Sequence, residues 1–276
     1  MNKYQYKDLD YAKEILDKGF TSKFILSELR VLAKYYKSLD RANDEIKELI
    51  WSFCKNNLEG FNEAVHFKVI NNAANFIKED KNKLIQIDEV HISKSELEYV
   101  LSLDIEYDYK KVVFTLLVLS KLEKIYLQLR DGELKSKEYY FGGHKNYRNL
   151  VGTSKITFDK KKASKVKNIH DLIRVFNEKG IIEITHNGNI KLQFMYDIKQ
   201  SDDVVISVKD YSLIGYYLDL HCEENKVKEC EICYVPIKAN SSTSKYCKVC
   251  SKEKERERQR DKWHRNKDKY RATYTE

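Results

Sequence analysis

The sequence has one proline and nine glycines among 276 residues, so residues that favour turns are scarce. This scarcity argues against β-sandwiches and propellers, and it excludes collagen-like and low-complexity chains. Long apolar runs are also absent, because the longest, 112–119, is followed by Ser120 and Lys121. A membrane span needs about 18 such residues. The polar first ten residues contain no secretory signal. We therefore expect a cytoplasmic protein with no membrane partner.

The composition that remains favours helices around a core. Hydrophobic residues make up 42% of the chain, and lysine, glutamate, leucine and isoleucine are abundant. We predict a mainly α protein with a small β component, and domains of about 100–200 residues are typical. The predicted parts are an N-terminal helical domain (1–107), a winged-helix-like middle domain (108–222), and a four-cysteine zinc-ribbon module with a basic helical tail (223–276).

Helical periodicity and capping residues define the N-terminal part. Apolar residues recur with a period near 3.6, and Thr21 is placed to cap the second helix. Ser93 and Glu96 have the spacing of a capping box, in which each side chain accepts a hydrogen bond from a free amide. A long apolar helix is predicted over 109–129.

A helix followed by a hairpin predicts the winged helix. Asn168 is placed to cap a helix that ends at Gly180, and two alternating runs, 181–185 and 190–194, follow. The Asn187-Gly188 pair between them favours a type I′ turn. A helix, a glycine and a tight hairpin are typical of the end of a winged helix. The alternative is an ordinary α+β domain with one hairpin.

The net charge of +8 is distributed unevenly. Segment Lys226–Glu276 holds 15 basic and 8 acidic residues, and segment Arg130–His170 holds 11 basic and 4 acidic residues. Each is therefore +7, and the rest of the chain is −6. Two basic regions on an acidic body indicate two surfaces suited to nucleic acid.

Four cysteines have the spacing of a zinc site. Cys230 and Cys233 form one C-x-x-C pair, and Cys247 and Cys250 form the other. Four thiolates match tetrahedral Zn²⁺ and leave no open coordination position, so we predict one structural ion. Cys54 lies on an apolar helix face and is assigned to the core; Cys222 is assigned no ligand role.

The segment after Cys250, from Ser251 to Lys269, is highly charged and contains Trp263. It fits a basic stripe that follows phosphates, with the tryptophan as an anchor on a base or a partner. It also fits a solvated helix with i,i+3 ion pairs such as Glu253–Arg256. The candidate residues for binding nucleic acid or a partner are Lys160, Lys161, Lys162, Lys165, Lys167, Arg174, Asn177, Lys191, Arg256, Arg258, Arg260, Trp263 and Arg265.

Catalytic motifs are not found. The sequence has no glycine-rich phosphate loop, no nucleophile elbow and no HExxH zinc-protease motif. We therefore predict a protein that is not an enzyme and has no small-molecule substrate.

The order of these parts supports a resemblance. A helical domain, a winged-helix-like segment and Lys245-Tyr246-Cys247-x-x-Cys250 before a basic tail resemble accessory proteins of phages and prophages of Gram-positive bacteria. That resemblance implies a regulator, a replication organiser or a recombination directionality factor, and it implies no catalytic residue.

The sequence therefore supports two functions. The first is a DNA-binding accessory protein in recombination, replication or transcription. The second is a factor that binds a DNA enzyme, such as a large serine integrase, a replication protein or RNA polymerase, and redirects it.

Overall fold

Four helices at the N-terminus pack around their own hydrophobic cluster. A computed structural model describes residues 6–132, 139–142, 147–158, 166–198, 203–239, 241 and 243–272, with side chains through residue 266. The bundle consists of α1 (Asp8–Lys18), α2 (Ile25–Ser38), α3 (Asn43–Asn57) and α4 (Glu63–Phe76). Their amphipathic faces meet in a cluster that includes Leu29, Ile50 and Ile70. Cys54 lies in it at 1% exposure, as predicted for a core residue.

The loop before α2 is fixed by a buried acid and not by a threonine cap. Helix α2 begins at Ile25, so the predicted capping role of Thr21 is wrong. The Thr21 hydroxyl instead donates to Glu28 Oε1 at 2.6 Å, and its amide donates to Oε2 at 3.0 Å. Tyr11 adds a third donor at 2.7 Å. Glu28 is fully buried, and these donors compensate its desolvation.

A second hydrophobic cluster begins at Ile85 and contains the middle of the chain. It includes strand β1 (Val90–Ser93), helix α5 (Lys94–Ser102) and the long helix α6 (Tyr107–Asp131). The capping box is confirmed, with Ser93 and Glu96 each accepting the other's amide. The predicted division at residue 107 does not coincide with the change of cluster, because β1 and α5 pack with α6.

The next elements have the order of a winged helix. After α6 come β2 (Tyr140–Phe141), α7 (Tyr147–Ser154), α8 (Ile169–Glu178), β3 (Ile182–Ile184) and β4 (Ile190–Leu192). The three strands form an antiparallel sheet in the order β2-β4-β3. The return strand therefore lies between the other two, which a lone hairpin on an ordinary α+β domain does not produce.

The hairpin is confirmed, but its predicted turn is wrong. Ile184 pairs with Ile190, so the loop between β3 and β4 has five residues. Only Gly188 of this loop has a positive φ, at 73°, whereas a type I′ turn needs two such residues. Thr185 closes the loop, since its amide donates to the Asn189 carbonyl at 2.9 Å.

A second sheet and a short helix lead to the C-terminal module. Strand β5 (Val204–Val208) pairs antiparallel with β1, and helix α9 (Ile214–His221) follows. Helices α7 and α9 cross closely: a Cβ on Gly215 would lie 1.9 Å from the Ser154 carbonyl oxygen. The last elements are β6 (Val227–Glu229), β7 (Pro236–Lys238) and α10 (Lys248–Ala272).

The architecture is mainly helical with small sheets, which confirms the predicted fold class. Within the described ranges, no helix is both long and apolar enough to span a bilayer.

Candidate metal centre and nucleic-acid interface

The first cysteine pair lies in the turn of the β6–β7 hairpin. The Tyr234 amide donates to the Cys230 carbonyl, and the Cys230 amide donates to the Val235 carbonyl, both at 3.0 Å. Tyr234 has a φ of 59°, which allows the chain to fold back within this short turn. Pro236 follows the turn and begins β7. Because it starts the strand, its missing amide costs no central ladder bond.

The second pair lies at the beginning of α10. Cys247 immediately precedes the helix and Cys250 is in its first turn. The Cys250 amide faces the Cys247 sulfur at 3.4 Å, and the Cys247 amide faces the Cys230 sulfur at 3.2 Å. Backbone donors and the positive end of a helix both favour negative charge on sulfur.

The four sulfur atoms have the spacing of a tetrahedral metal site. All four lie within 4.8 Å of one another, and Cys233 Sγ is 3.7 Å from Cys247 Sγ. Ligands with ~2.3 Å metal–sulfur bonds in a tetrahedron stand about 3.8 Å apart. The arrangement could therefore hold one metal ion, and Cys222 is outside this group.

The cysteine cluster also takes the place of a hydrophobic core in this module. Of the described side chains from 223 to 266, the buried ones are Cys230, Pro236 and Cys250. Two of these three are cluster members. Their association must therefore supply much of the local stability.

The pKa values of Cys230, Cys233 and Cys250 are shifted in different directions. Burial alone would raise the pKa of Cys230, but backbone amides, including that of Cys247, donate to its sulfur and lower the pKa to about 6. Burial raises the pKa of Cys233 to about 11 and also raises that of Cys250. One thiolate thus forms readily, whereas further negative charge this close needs a cation to balance it.

A buried ion pair ties the cysteine module to the winged helix. Lys111 Nζ lies 2.7 Å from Asp219 Oδ2, and the two side chains are 2% and 0% exposed. The other oxygen of Asp219 accepts from Asn225 Nδ2 at 2.8 Å, and its carbonyl accepts from the Glu224 amide at 2.8 Å. Asp219 therefore connects α6, α9 and the turn that leads into β6. No local pattern predicts this pair, whose members are 108 residues apart.

Helix α10 has no buried side chain between Ser251 and Arg265, where every side chain is exposed. The helix has 25 residues, and at 1.5 Å per residue it is about 37 Å long. The cysteine cluster at its first turn attaches it to the β6–β7 hairpin.

The ion pairs on α10 differ from those suggested by the sequence. Lys254 pairs with Glu257 at 3.1 Å, and Arg258 pairs with Glu255 at 3.0 Å. Arg265 donates back to the Asp261 carbonyl at 3.3 Å. These contacts engage Arg258 and Arg265 of the predicted binding set within the helix.

Another face of α10 combines two arginines with an aromatic ring. Arg256, Gln259, Arg260 and Trp263 have i, i+3, i+4, i+7 spacing and together line a shallow depression. Neither arginine forms an ion pair with any carboxylate that the structure describes. Trp263 is 53% exposed. We call these four residues the α10 face. Gln259 was missed by the sequence reasoning, although its spacing from Arg256 places it there.

Some of the predicted binding residues of the winged helix are exposed, whereas others have partners within the domain. Arg174 on α8 and Lys167 before it are exposed. Asn177 accepts the Ile184 amide at 3.1 Å, which fastens α8 to the first strand of the wing. Lys191 lies 3.8 Å from Glu183 and 5.3 Å from the centre of the Tyr196 ring, with its side chain 19% exposed. The remaining predicted lysines lie outside the described residues: Lys160, Lys161, Lys162 and Lys165.

Comparison with known proteins adds no family to this description. No protein-family model, no curated protein and no solved structure matches the chain.

Proposed function

We propose that the protein is a DNA-binding accessory factor whose main contact is α10, held by a structural Zn²⁺ at the four cysteines. The α10 face is the observation that carries this proposal. Two guanidinium groups without acidic partners on the described part of the chain lie beside an exposed indole on one helix. Such a face gives phosphate neutralisation and aromatic contact at the same place.

The winged helix supplies a second basic element under this proposal. Arg174 and Lys167 are exposed at α8 and its N-terminal approach, where a winged helix meets DNA. Because Asn177 and Lys191 have partners within the domain, base readout by this module is weak. Phosphate contacts position the module on the duplex without specifying a sequence. The resemblance to phage accessory proteins adds the proposed setting: recombination, replication or transcription.

The zinc assignment is tested by metal analysis of the full chain. We expect one zinc per chain, lost in Cys233→Ser, together with loss of amide protection in β6 and β7. Cys54→Ser is the control, since Cys54 is buried in the N-terminal cluster and should leave the zinc content unchanged. A metal-free preparation with normal protection of β6 and β7 would contradict the site.

DNA binding is tested by the salt dependence of affinity. Each lost phosphate contact lowers the slope of log K against log salt by about 0.9. Arg256→Gln with Arg260→Gln should therefore lower the slope by nearly 2, as measured by fluorescence anisotropy with a duplex. Lys254→Gln with Arg258→Gln is the matched control, because it removes the same charge from residues already paired with acids. Equal slopes for both double variants would rule out the α10 face as the contact.

A second function, docking on a DNA enzyme, is supported by one other feature. The cysteine module exposes three apolar side chains near the cluster: Ile232 at 42%, Tyr234 at 64% and Val249 at 54%. Exposed apolar groups beside a charged helix fit a protein interface. This alternative predicts a complex with an integrase, a replication protein or RNA polymerase that Tyr234→Ser weakens while DNA affinity stays the same. Binding to the enzyme that does not change in Tyr234→Ser would remove this support.

A further inference from the structure

The exposure and the neighbours of Trp263 on α10 bear on whether single-stranded or duplex nucleic acid is bound. A tryptophan more than half exposed is unusual, because a large apolar surface in water is costly. From Ser251 to Asn266 it is the only large apolar residue in the sequence, and its ring meets that of His264 edge-on at 4.9 Å. Packing of α10 against the rest of the protein therefore does not explain it.

The neighbours of Trp263 define what can lie on it. Arg260 precedes it by three residues and Arg256 by seven, so both cations are on the same side of the helix as the indole. The distance along the axis from Arg256 to Trp263 is about 10 Å at 1.5 Å per residue. Gln259 lies between them; its Nε2 donates to Glu255 Oε1 at 3.1 Å, and its Oε1 is an acceptor. A ligand along this line meets two positive charges, an amide and a ring.

We propose, on the basis of the DNA-binding function above, that the α10 face takes single-stranded nucleic acid, with an unpaired base stacked on Trp263 and the adjoining phosphates on Arg256 and Arg260. Bases in a duplex stack on each other, and exposing one costs a few kcal/mol. An unpaired base presents its face at no such cost, and stacking on an aromatic side chain is worth about 1–3 kcal/mol.

The distribution of charges around α10 fits a single nucleic-acid strand bound along one face of the helix. Glu257 pairs with Lys254 and Glu255 pairs with Arg258, and Glu255 also accepts from Gln259 at the edge of the α10 face. A duplex groove surrounds a helix with phosphates on two sides, and carboxylates facing a phosphate would be repelled. A single strand along the α10 face contacts the unpaired arginines.

The experiment compares oligothymidine with a duplex of equal length, using the full chain. The two tryptophans are Trp51 and Trp263, and Trp51 packs edge-on against Phe61 and Phe67 in the N-terminal bundle. In a Trp51→Phe background the emission therefore reports on Trp263 alone. We expect oligothymidine to quench this emission. We also expect Trp263→Ala to weaken oligothymidine binding about 5- to 150-fold, with less than about a twofold effect on the duplex. Trp263→Phe should retain most of the affinity, because a phenyl ring still stacks.

The possible outcomes separate this inference from the proposed function. Duplex binding that depends on Arg256 and Arg260, with equal and small effects of Trp263→Ala on both ligands, overturns the single-strand assignment and leaves DNA binding intact. Equal losses on both ligands also overturn it. No binding of either ligand at low salt overturns both proposals. A selective loss on oligothymidine, restored by Trp263→Phe, supports the assignment.

Discussion

Gly215→Ala should strongly destabilise the crossing of α7 and α9. A Cβ at this position would lie 1.9 Å from the Ser154 carbonyl oxygen, 2.4 Å from its carbon and 2.9 Å from its Cα. These atoms belong to the backbone of α7, so no rotation of a side chain relieves the overlap. The two helices must separate by more than about 1 Å to restore ordinary van der Waals contact. Overpacking of this kind costs about 1–3 kcal/mol, and we expect about 3 kcal/mol because backbone must move.

Gly152→Ala is the matched control for this prediction. Gly152 also lies in a helix, α7, but a Cβ there meets nothing within 4 Å. The substitution should therefore stabilise the protein by about 0.5–1 kcal/mol, since alanine loses less backbone entropy on folding. The same chemical change is thus predicted to have opposite signs at the two positions.

Urea unfolding combined with hydrogen exchange measures both effects. The N-terminal bundle has its own hydrophobic cluster, so exchange in peptides from α7 and α9 reports the relevant region directly. A Gly215→Ala protein with wild-type protection in these peptides would refute the close crossing.

Two further predictions concern buried polar groups in the same region. Lys111→Met should cost about 3–5 kcal/mol in urea unfolding, because Asp219 keeps a buried charge, and Lys111→Met with Asp219→Leu should recover part of that loss. Equal losses in the single and double variants would argue against the pair. Burial raises the pKa of Tyr217 to about 12, although the amides of Lys209 and Asp210 donate to its hydroxyl and oppose the rise. The folded state thus favours the neutral phenol, so this contribution is full below about pH 10 and is lost as the pH rises through about 12. Unfolding measured from pH 9 to 12 should show a decline that is smaller in Tyr217→Phe.

The sequence predicted features that depend on local chemistry. The capping box at Ser93 and Glu96 and the Asn168 cap are both present, because each needs contacts only two or three residues away. The cysteine cluster was also predictable, since its two pairs have the spacing that metal sites use. The hairpin at 182–192 was predictable because alternating apolar residues around a glycine are also a local pattern.

Predictions failed where distant residues decide the structure. Thr21 has the chemistry of a cap, but its hydroxyl and amide donate to buried Glu28, and α2 begins at Ile25. The pairing of β1 with β5 and the ion pair of Lys111 with Asp219 join parts of the chain more than 100 residues apart. Local patterns carry no information about such contacts.

The sequence predicted the candidate binding residues, but it did not predict which of them already have partners in the folded protein. Arg256 and Arg258 look alike in the sequence, since a glutamate directly precedes each of them. In the structure Arg258 pairs with Glu255, whereas Arg256 lies on the α10 face. Each also has a glutamate three residues earlier, so spacing does not separate them and the choice depends on side-chain rotamers. The roles of all these residues in binding stay predictions.

The attachment of α10 at one end gives the helix the mechanics of a lever. Trp263 is 15 residues from the start of the helix at Lys248, or about 22 Å along the axis. A tilt of 10° at the cysteine cluster would move the indole by about 4 Å, close to the ~3.4 Å rise per nucleotide of one strand in a duplex. Cys247 and Cys250 form the base of this lever, since one precedes α10 and the other lies in its first turn. A small adjustment at the cluster is therefore enough to shift the position of Trp263 by about one such step.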